Sequence, residues 1–313
     1  VTEAVPVRGR FGPWDEPIFL VEYGDSKLGK TTNALYAGAG HAVFIGLPGA
    51  FKPSINVLGF EIKAGHKLAV TRIEEATALL PRVAEAAVKA GIDMVVVDDG
   101  SELLRSTFQA LRALYPKSHN FDLWEHIEVC LSQFRNTARS CGLHAIANFH
   151  KASPGVNAAT GEFYKGGPEV PGKKLSRLLP HLADTCVRCG TSTDRDVYPW
   201  PGVWECETPD PNYHVGDRHG LRGQAPMNTG EFLRTFCGYP LRRAPGLEWM
   251  EDAVESVAAA LASGAEKRPL LDKLIAQGTA RGWSVQHVRW VWRDGYDRAA
   301  FRKMQDSKQI LNF

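Results

Sequence analysis

Gly24-Asp25-Ser26-Lys27-Leu28-Gly29-Lys30-Thr31 matches the pattern G-x-x-x-x-G-K-[ST] in full. The residues before it, Ile-Phe-Leu-Val-Glu-Tyr at 18–23, form a short apolar run of the kind a buried parallel strand shows, and Lys30 to Gly38 after it supports a helix. In a strand–loop–helix setting the glycines let backbone amides close around phosphate oxygens, and the helix offers its positive N-terminal end. Gly24 to Thr32 therefore read as the phosphate-binding segment. Lys30 reaches the β and γ oxygens, Thr31 holds Mg²⁺, and ATP with Mg²⁺ is the expected ligand.

Working outward, Ala42 to Ile45 is a second strand, Ile73 to Ala90 a helix stopped by Gly91, and Met94 to Val97 a third strand. A helix over about 121–140 and a fourth strand from Leu143 to Phe149 follow. Strands alternating with helices predict an α/β fold with a mostly parallel sheet covered on both faces. Residues 151–172, rich in Gly, Pro, Ser and Asn, read as a long loop. Lys173 to Leu182 reads as a helix, Thr185 to Cys189 and Val203 to Glu205 as the last strands, and Pro209 to Pro211 as a turn. Beyond Pro240 and Pro245 the chain turns helical. The expected organisation is an N-terminal arm at 1–16, a core at 17–240, and a small helical C-terminal domain at 247–313. Leu270, Leu271, Leu274 and Ile275, then Gly282, then Val285, Val288 and Val291, have helix-turn-helix spacing, which DNA-reading modules share with ordinary bundles.

A second motif, Val95-Val96-Val97-Asp98-Asp99, is an apolar strand delivering a carboxylate at its C-terminal edge, where open α/β sheets bind ligands. Asp98 is the expected Mg²⁺ partner. Asp99 has two open roles, orienting the attacking water or capping the next helix. Asn148 and His150 end the next strand on the same edge, with His150 as a γ-phosphate sensor. Lys151, Lys165, Lys173 and Lys174 bracket the Gly-rich loop, with Phe163 or Tyr164 available for base stacking, a pattern suited to single-stranded DNA. Cys186-Val187-Arg188-Cys189 does not read as a zinc site, because positions three apart on a strand face opposite ways.

The P-loop, Val95 to Asp98, Asn148 to His150, Pro171-Gly172-Lys173-Lys174-Leu175 and Asp217-Arg218 together resemble, over residues 17–236, phage-encoded RecA-like P-loop ATPases of the single-strand-annealing recombinase type. The resemblance implies a RecA-like core, action on single-stranded DNA in recombination or replication, and a homo-oligomeric ring or filament with nucleotide at subunit boundaries. It also implies that Arg218 reaches a neighbour's γ-phosphate, whereas the dipeptide alone reads as a turn with a surface ion pair. One departure stands out: where such enzymes carry a catalytic glutamate, the chain reads Phe44-Ile45-Gly46-Leu47-Pro48-Gly49. Two other functions stay open, a DNA helicase or packaging motor and a nucleotide-gated assembly protein with little hydrolysis.

The 313 residues carry a formal charge of only +2, with 44% hydrophobic and 23% charged residues, as ordinary globular proteins do. Residues 265–313 hold ten Lys or Arg against five Asp or Glu, which is +5 for the tail and hence −3 for the rest. A basic end on a slightly acidic core is the footprint of a polyanion-binding segment or of a solvated face. No apolar run approaches the roughly 18 residues of a membrane span, so no membrane partner is expected. The six scattered cysteines suit a reducing, cytoplasmic setting, the host cytoplasm for a phage protein.

Overall fold

In the computed structural model, the strand that leads into the phosphate loop is β1, Phe19–Gly24, and every one of its residues is buried. It pairs in parallel with β5, His144–Ala152, on one edge and with β9, Thr185–Thr191, on the other. The structure describes residues 16–38, 41–48, 66–191, 202–206, 212–219, 221, 223–239, 243 and 246–311. The expected N-terminal arm up to residue 15, Gly49, the turn at 209–211, and Pro240 and Pro245 lie outside the described residues.

The chain continues from β1 through α1, Lys30–Gly38, to β2, Ala42–Gly46, and the edge strand β3, Lys67–Ala69. Then follow α2, Ile73–Ala90, β4, Met94–Val97, α3, Gly100–Leu114, and α4, Asn120–Ser140, before β5. After β5 come β6, Gly155–Val156, β7, Phe163–Tyr164, β8, Gly167–Pro168, and α5, Lys173–Leu182, before β9. The last sheet strands are β10, Gly202–Glu205, β11, Gly216–Asp217, and β12, Gln224–Pro226. Sheet order is β12-β10-β9-β1-β5-β4-β2-β3, with β11 on β9 and β8 on β5. The run from β9 to β3 is parallel, and β10, β11 and β12 are antiparallel additions.

Alternation along the strands divides the apolar side chains between two faces. Phe19, Val21 and Tyr23 join one cluster with Val95, Val97, Ile127, Leu131 and Phe134. Leu20 joins the other with Leu35, Phe44, Val96 and Trp204. Cys186 and Cys189 fall into opposite clusters, as the spacing predicted, and all six cysteines are free thiols. Each fully buried Leu or Val contributes about 1.5–3 kcal/mol, so a central strand covered on both faces fixes its own position strongly.

Two expectations are corrected. Residues 151–172 are not one structureless loop: β5 runs on to Ala152, β6 and β7 form a hairpin, and β8 pairs back onto β5. Two-residue strands carry no apolar period, so the sequence hides them. The sheet also extends past residue 205, because β12 pairs with β10, with Pro226 at the outer edge, where a missing N–H breaks no ladder.

Four C-terminal helices follow: α6, Thr229–Cys237, α7, Met250–Ala262, α8, Lys267–Ala280, and α9, Val285–Leu311. Their inner faces share the Leu20 cluster, through Phe232, Phe236, Met250, Val254, Leu274, Trp290, Trp292 and Phe301. The turn between α8 and α9 gives the anticipated helix-turn-helix outline. Packing buries α9 almost all round from Trp290 to Arg298, and its first turn and the stretch around Lys303 to Ser307 stay open.

Buried charge is unusually dense where these helices meet the sheet. Arg298 donates to both Glu231 oxygens at 2.8 and 3.0 Å, with Arg298 only 1% exposed and Glu231 fully buried. Arg243 pairs with Asp294, which also accepts from Tyr36 Oη at 2.8 Å and from Asn228 at 3.0 Å. Removing one partner of a buried pair strands the other, which costs about 3–5 kcal/mol. Arg298→Met is therefore expected to lower unfolding stability by about 3–5 kcal/mol in urea titrations, whereas Arg302→Met, at an exposed pair with Glu255, changes it by less than about 1 kcal/mol.

Candidate nucleotide site

Gly24 is the point at which the chain leaves the sheet. A Cβ there would lie 2.8 Å from the Cys189 carbonyl oxygen and 2.9 Å from the Cys189 Cβ, so only glycine tolerates the approach of β9. The following turn uses left-handed backbone at Lys27, φ 66°, and at Gly29, φ 90°, which turns successive amides inward. α1 then begins at Lys30 with no acidic residue in its first turn, leaving its positive end for an anion.

Lys30 is buried, and its ammonium donates to the Gly24 and Asp25 carbonyls at 2.9 Å each. An ammonium has three donors, so one N–H remains for a phosphate oxygen. Thr31 Oγ1 donates to Asp98 Oδ2 at 2.8 Å, and Asn148 Nδ2 donates to Asp98 Oδ1 at 3.0 Å. Asp98 is thus held from both sides, by α1 and by β5, the strand between β1 and β4. Burial pushes its carboxyl up to about 6, with the Thr31 and Asn148 hydrogen bonds pulling it down, Asp99 pushing it up and Lys30 pulling it down. The Asn148 Oδ1 is buried without a hydrogen-bond partner at the same spot. A hydroxyl, a carboxylate and an unsatisfied amide oxygen are hard donors, and they suit Mg²⁺.

Of its two open roles, Asp99 takes the helix cap. Its Oδ1 accepts from the Ser101 and Glu102 amides at 2.9 and 3.3 Å, capping α3, and its Oδ2 lies 2.6 Å from His150 Nε2. The His150 amide in turn donates to Ser101 Oγ at 2.9 Å. These groups line a cleft of about 580 Å³, with Ser26, Lys27, Gly29 to Thr32, Leu47 and Pro48 on its other walls. Glu102, one helical turn beyond Asp99, also lines the cleft and pairs with Arg105 at 2.5 Å, as does Glu169 at 2.8 Å. The sequence reading missed Glu102; its signal is the position three residues after a capping aspartate.

A further residue escaped notice. Glu22, two positions before Gly24, is fully buried and accepts from Thr229 Oγ1 at 2.7 Å and Asn33 Nδ2 at 3.2 Å. Burial pushes its carboxyl up to about 7, against the hydrogen bond from Thr229 and the charges of Lys30 and Arg293. Arg293 on α9 donates to Asn33 Oδ1 at 2.7 Å, so this cluster joins the phosphate-loop helix to the C-terminal helices.

The remaining predicted residues lie elsewhere. Lys151 is 2.6 Å from Asp25, so it braces the phosphate loop. Lys174 pairs with Glu128 at 3.1 Å and stands over the Phe121 ring. Lys165 is exposed at a groove of about 850 Å³ that also takes in Phe163, Lys174, Arg177, His181 and His214. Lys173 opens α5, but its side chain lies outside the described residues. Arg218 follows β11, whose Asp217 pairs with Thr185, the start of β9, whereas the phosphate loop meets β9 at Cys189. The cleft of its own chain is therefore at the other edge of the sheet. The Arg218 side chain is 60% exposed and touches Asp184 and the His181 carbonyl.

Residues 16–219 match the family model described as an AAA domain. The chain belongs to this AAA-domain family. The match spans β1 to β11 and the whole cleft, and it makes this an AAA-type P-loop ATPase-like domain that binds nucleotide. α6 to α9 lie beyond the matched part of the AAA domain. Comparison with curated proteins finds no match. Among the described residues no helix is long and apolar enough to cross a membrane.

A cation at Asp98 would need the carboxylate ionised, so protons would compete with Mg²⁺ there as pH falls through about 6. Fluorescent-nucleotide titrations with Mg²⁺ are expected to weaken on acidification through that window, and Asp98→Asn to weaken binding at neutral pH and flatten the profile.

Proposed function

We propose that the protein is an ATP- and Mg²⁺-dependent, DNA-binding ATPase with a RecA-like core, acting on single-stranded DNA in phage-type recombination or replication. The observation that carries the ATPase part is the convergence of Lys30, Thr31, Asp98 and Asn148, from three elements, on one cleft. Lys30 neutralises β and γ oxygens, and the loop amides and the α1 N-terminus hold the triphosphate. Thr31 and Asp98 would hold Mg²⁺, which supplies charge neutralisation across the β and γ phosphates. Asp99, fixed by the α3 amides and His150, accepts a proton from the attacking water and aligns it with the γ-phosphorus. His150 reports on the γ-phosphate through that same contact.

Support for DNA comes from the second groove. It sets Phe163, 51% exposed, beside Lys165, Lys174 and Arg177, a stacking surface among cations. β5 connects the two places, carrying Asn148 and His150 in the cleft and Ala152 at the groove. The exposure of Arg218 on the edge away from the cleft supports a head-to-tail homo-oligomer in which it reaches a neighbour's γ-phosphate. A second reading, a nucleotide-gated assembly protein with little turnover, draws on Leu47 and Pro48, which line the cleft where an acid is expected. Asp99 and Glu102 on the opposite wall favour hydrolysis.

The test is ATP turnover with and without single-stranded and duplex DNA. Wild type is expected to turn over faster with single-stranded DNA. Lys30→Ala is expected to lose about 10²-fold or more in turnover and most nucleotide affinity, and Asp99→Asn to lose turnover while retaining affinity. Negligible wild-type turnover with tight binding would establish the assembly reading, and absence of DNA binding at low salt would remove the DNA role.

A further inference from the structure

Away from the cleft, α2 and α4 pack side by side on one face of the sheet. Glu74 stands in the first turn of α2, and His126 and Cys130, four residues apart, share one face of α4. The ligating atoms of these three side chains all lie within 4.8 Å of one another. His126 Nε2 is 3.5 Å from Glu74 Oε1.

A plain surface ion pair explains the Glu74–His126 contact but not the other two features. Cys130 is 3% exposed, yet its thiol is turned toward a carboxylate instead of into purely apolar surroundings. Glu74 Oε2 is buried without a hydrogen-bond partner. Burial, then the Glu74 charge and a hydrogen bond to Glu74, push the thiol up to about 11, so the sulfur stays protonated against the carboxylate. A divalent cation answers both, taking the thiol proton's place and meeting the orphaned oxygen. His126 and Glu74 are 49% and 31% exposed in their side chains, so an entry path exists on the solvent side while the sulfur closes the inner side.

We propose that Glu74, His126 and Cys130 form a binding site for a borderline-soft divalent cation, Zn²⁺ by ligand chemistry, which clamps α2 to α4. One sulfur, one imidazole nitrogen and one carboxylate oxygen are a tetrahedral zinc set with a fourth position open to water. Zinc bonds of about 2.0–2.3 Å put neighbouring ligands about 3.3–3.8 Å apart, so each atom closes by about 1 Å or less. Binding releases the Cys130 proton to solvent and forms a thiolate–metal bond, with no change in oxidation state. The site is independent of the nucleotide cleft, and its failure would leave the ATPase proposal untouched.

The test is Co²⁺ titration of the reduced 313-residue chain, followed by displacement with Zn²⁺. Wild type is expected to develop a thiolate-to-cobalt charge-transfer band and tetrahedral visible bands at one equivalent, bleached by Zn²⁺, and Zn²⁺ is expected to raise its Tm. Cys130→Ser removes the charge-transfer band. His126→Ala, at a half-exposed position that folding tolerates, weakens affinity by about 100-fold or more. Circular dichroism verifies folding, and His126→Ala decides the matter if Cys130→Ser does not fold. No charge-transfer band in wild type, an unchanged band in folded Cys130→Ser, or unchanged affinity in His126→Ala overturns the proposal.

Discussion

The structure depends on the enclosure of β1. Both of its edges are paired, to β5 and β9, and both of its faces are covered, so no backbone or side-chain group on it has an alternative place. Its end is therefore a fixed point. The glycine there is forced by the carbonyl of Cys189, and the turn that follows can go only outward over the edge of the sheet. Lys30 closes that turn onto its own carbonyls, and Thr31 reaches the neighbouring strand's Asp98. A site that must hold a mobile polyphosphate is thus anchored on the least mobile part of the molecule, the arrangement that gives electrostatic preorganisation.

The same enclosure explains why charge is tolerated inside. Glu22 points from β1 into the face covered by α6 and α9, where a hydroxyl and an amide donate to its Oε1, the Lys30 and Arg293 charges act on it, and its Oε2 has no hydrogen-bond partner. Its folded pKa, about 7, lies above its unfolded value near 4.5, so the folded protein holds a proton that the unfolded chain releases. Between about 4.5 and 7 this group therefore makes stability fall as pH rises. Farther out, Arg298 with Glu231 and Arg243 with Asp294 stitch the helices together. Such pairs add little net stability over apolar substitutes, but breaking one leaves its partner's charge buried and uncompensated.

What was legible in the sequence was local. Gly24 to Thr31 and Val95 to Asp98 each state strand, turn and ligand within a few residues, and the end of α2 at Ala90 is legible because apolar period and the Gly91 stop coincide there. The parallel α/β sheet with C-terminal helices followed from alternation. The Glu22 cluster was not legible, since its partners Thr229 and Arg293 stand more than two hundred positions away and polar residues carry no period. Glu102 was hidden because its value depends on where α3 starts relative to Asp99. The short strands β6 to β8 were lost among glycines, and the apolar stripe of α9 does not reveal that charged residues on its other face are buried too.

The contact between Lys151 and Asp25 carries a consequence for how the cleft and the groove, both at the C-terminal end of β5, are joined. Lys151 has an anion of its own protein as counter-ion, and that anion belongs to the loop that wraps the phosphates. Any polyanion that recruits Lys151 withdraws it from Asp25, and any ligand that stiffens the loop holds Lys151 in place. Any coupling carried by this pair would be reciprocal in free energy, and with Asp25 65% exposed it is bounded at about 1 kcal/mol.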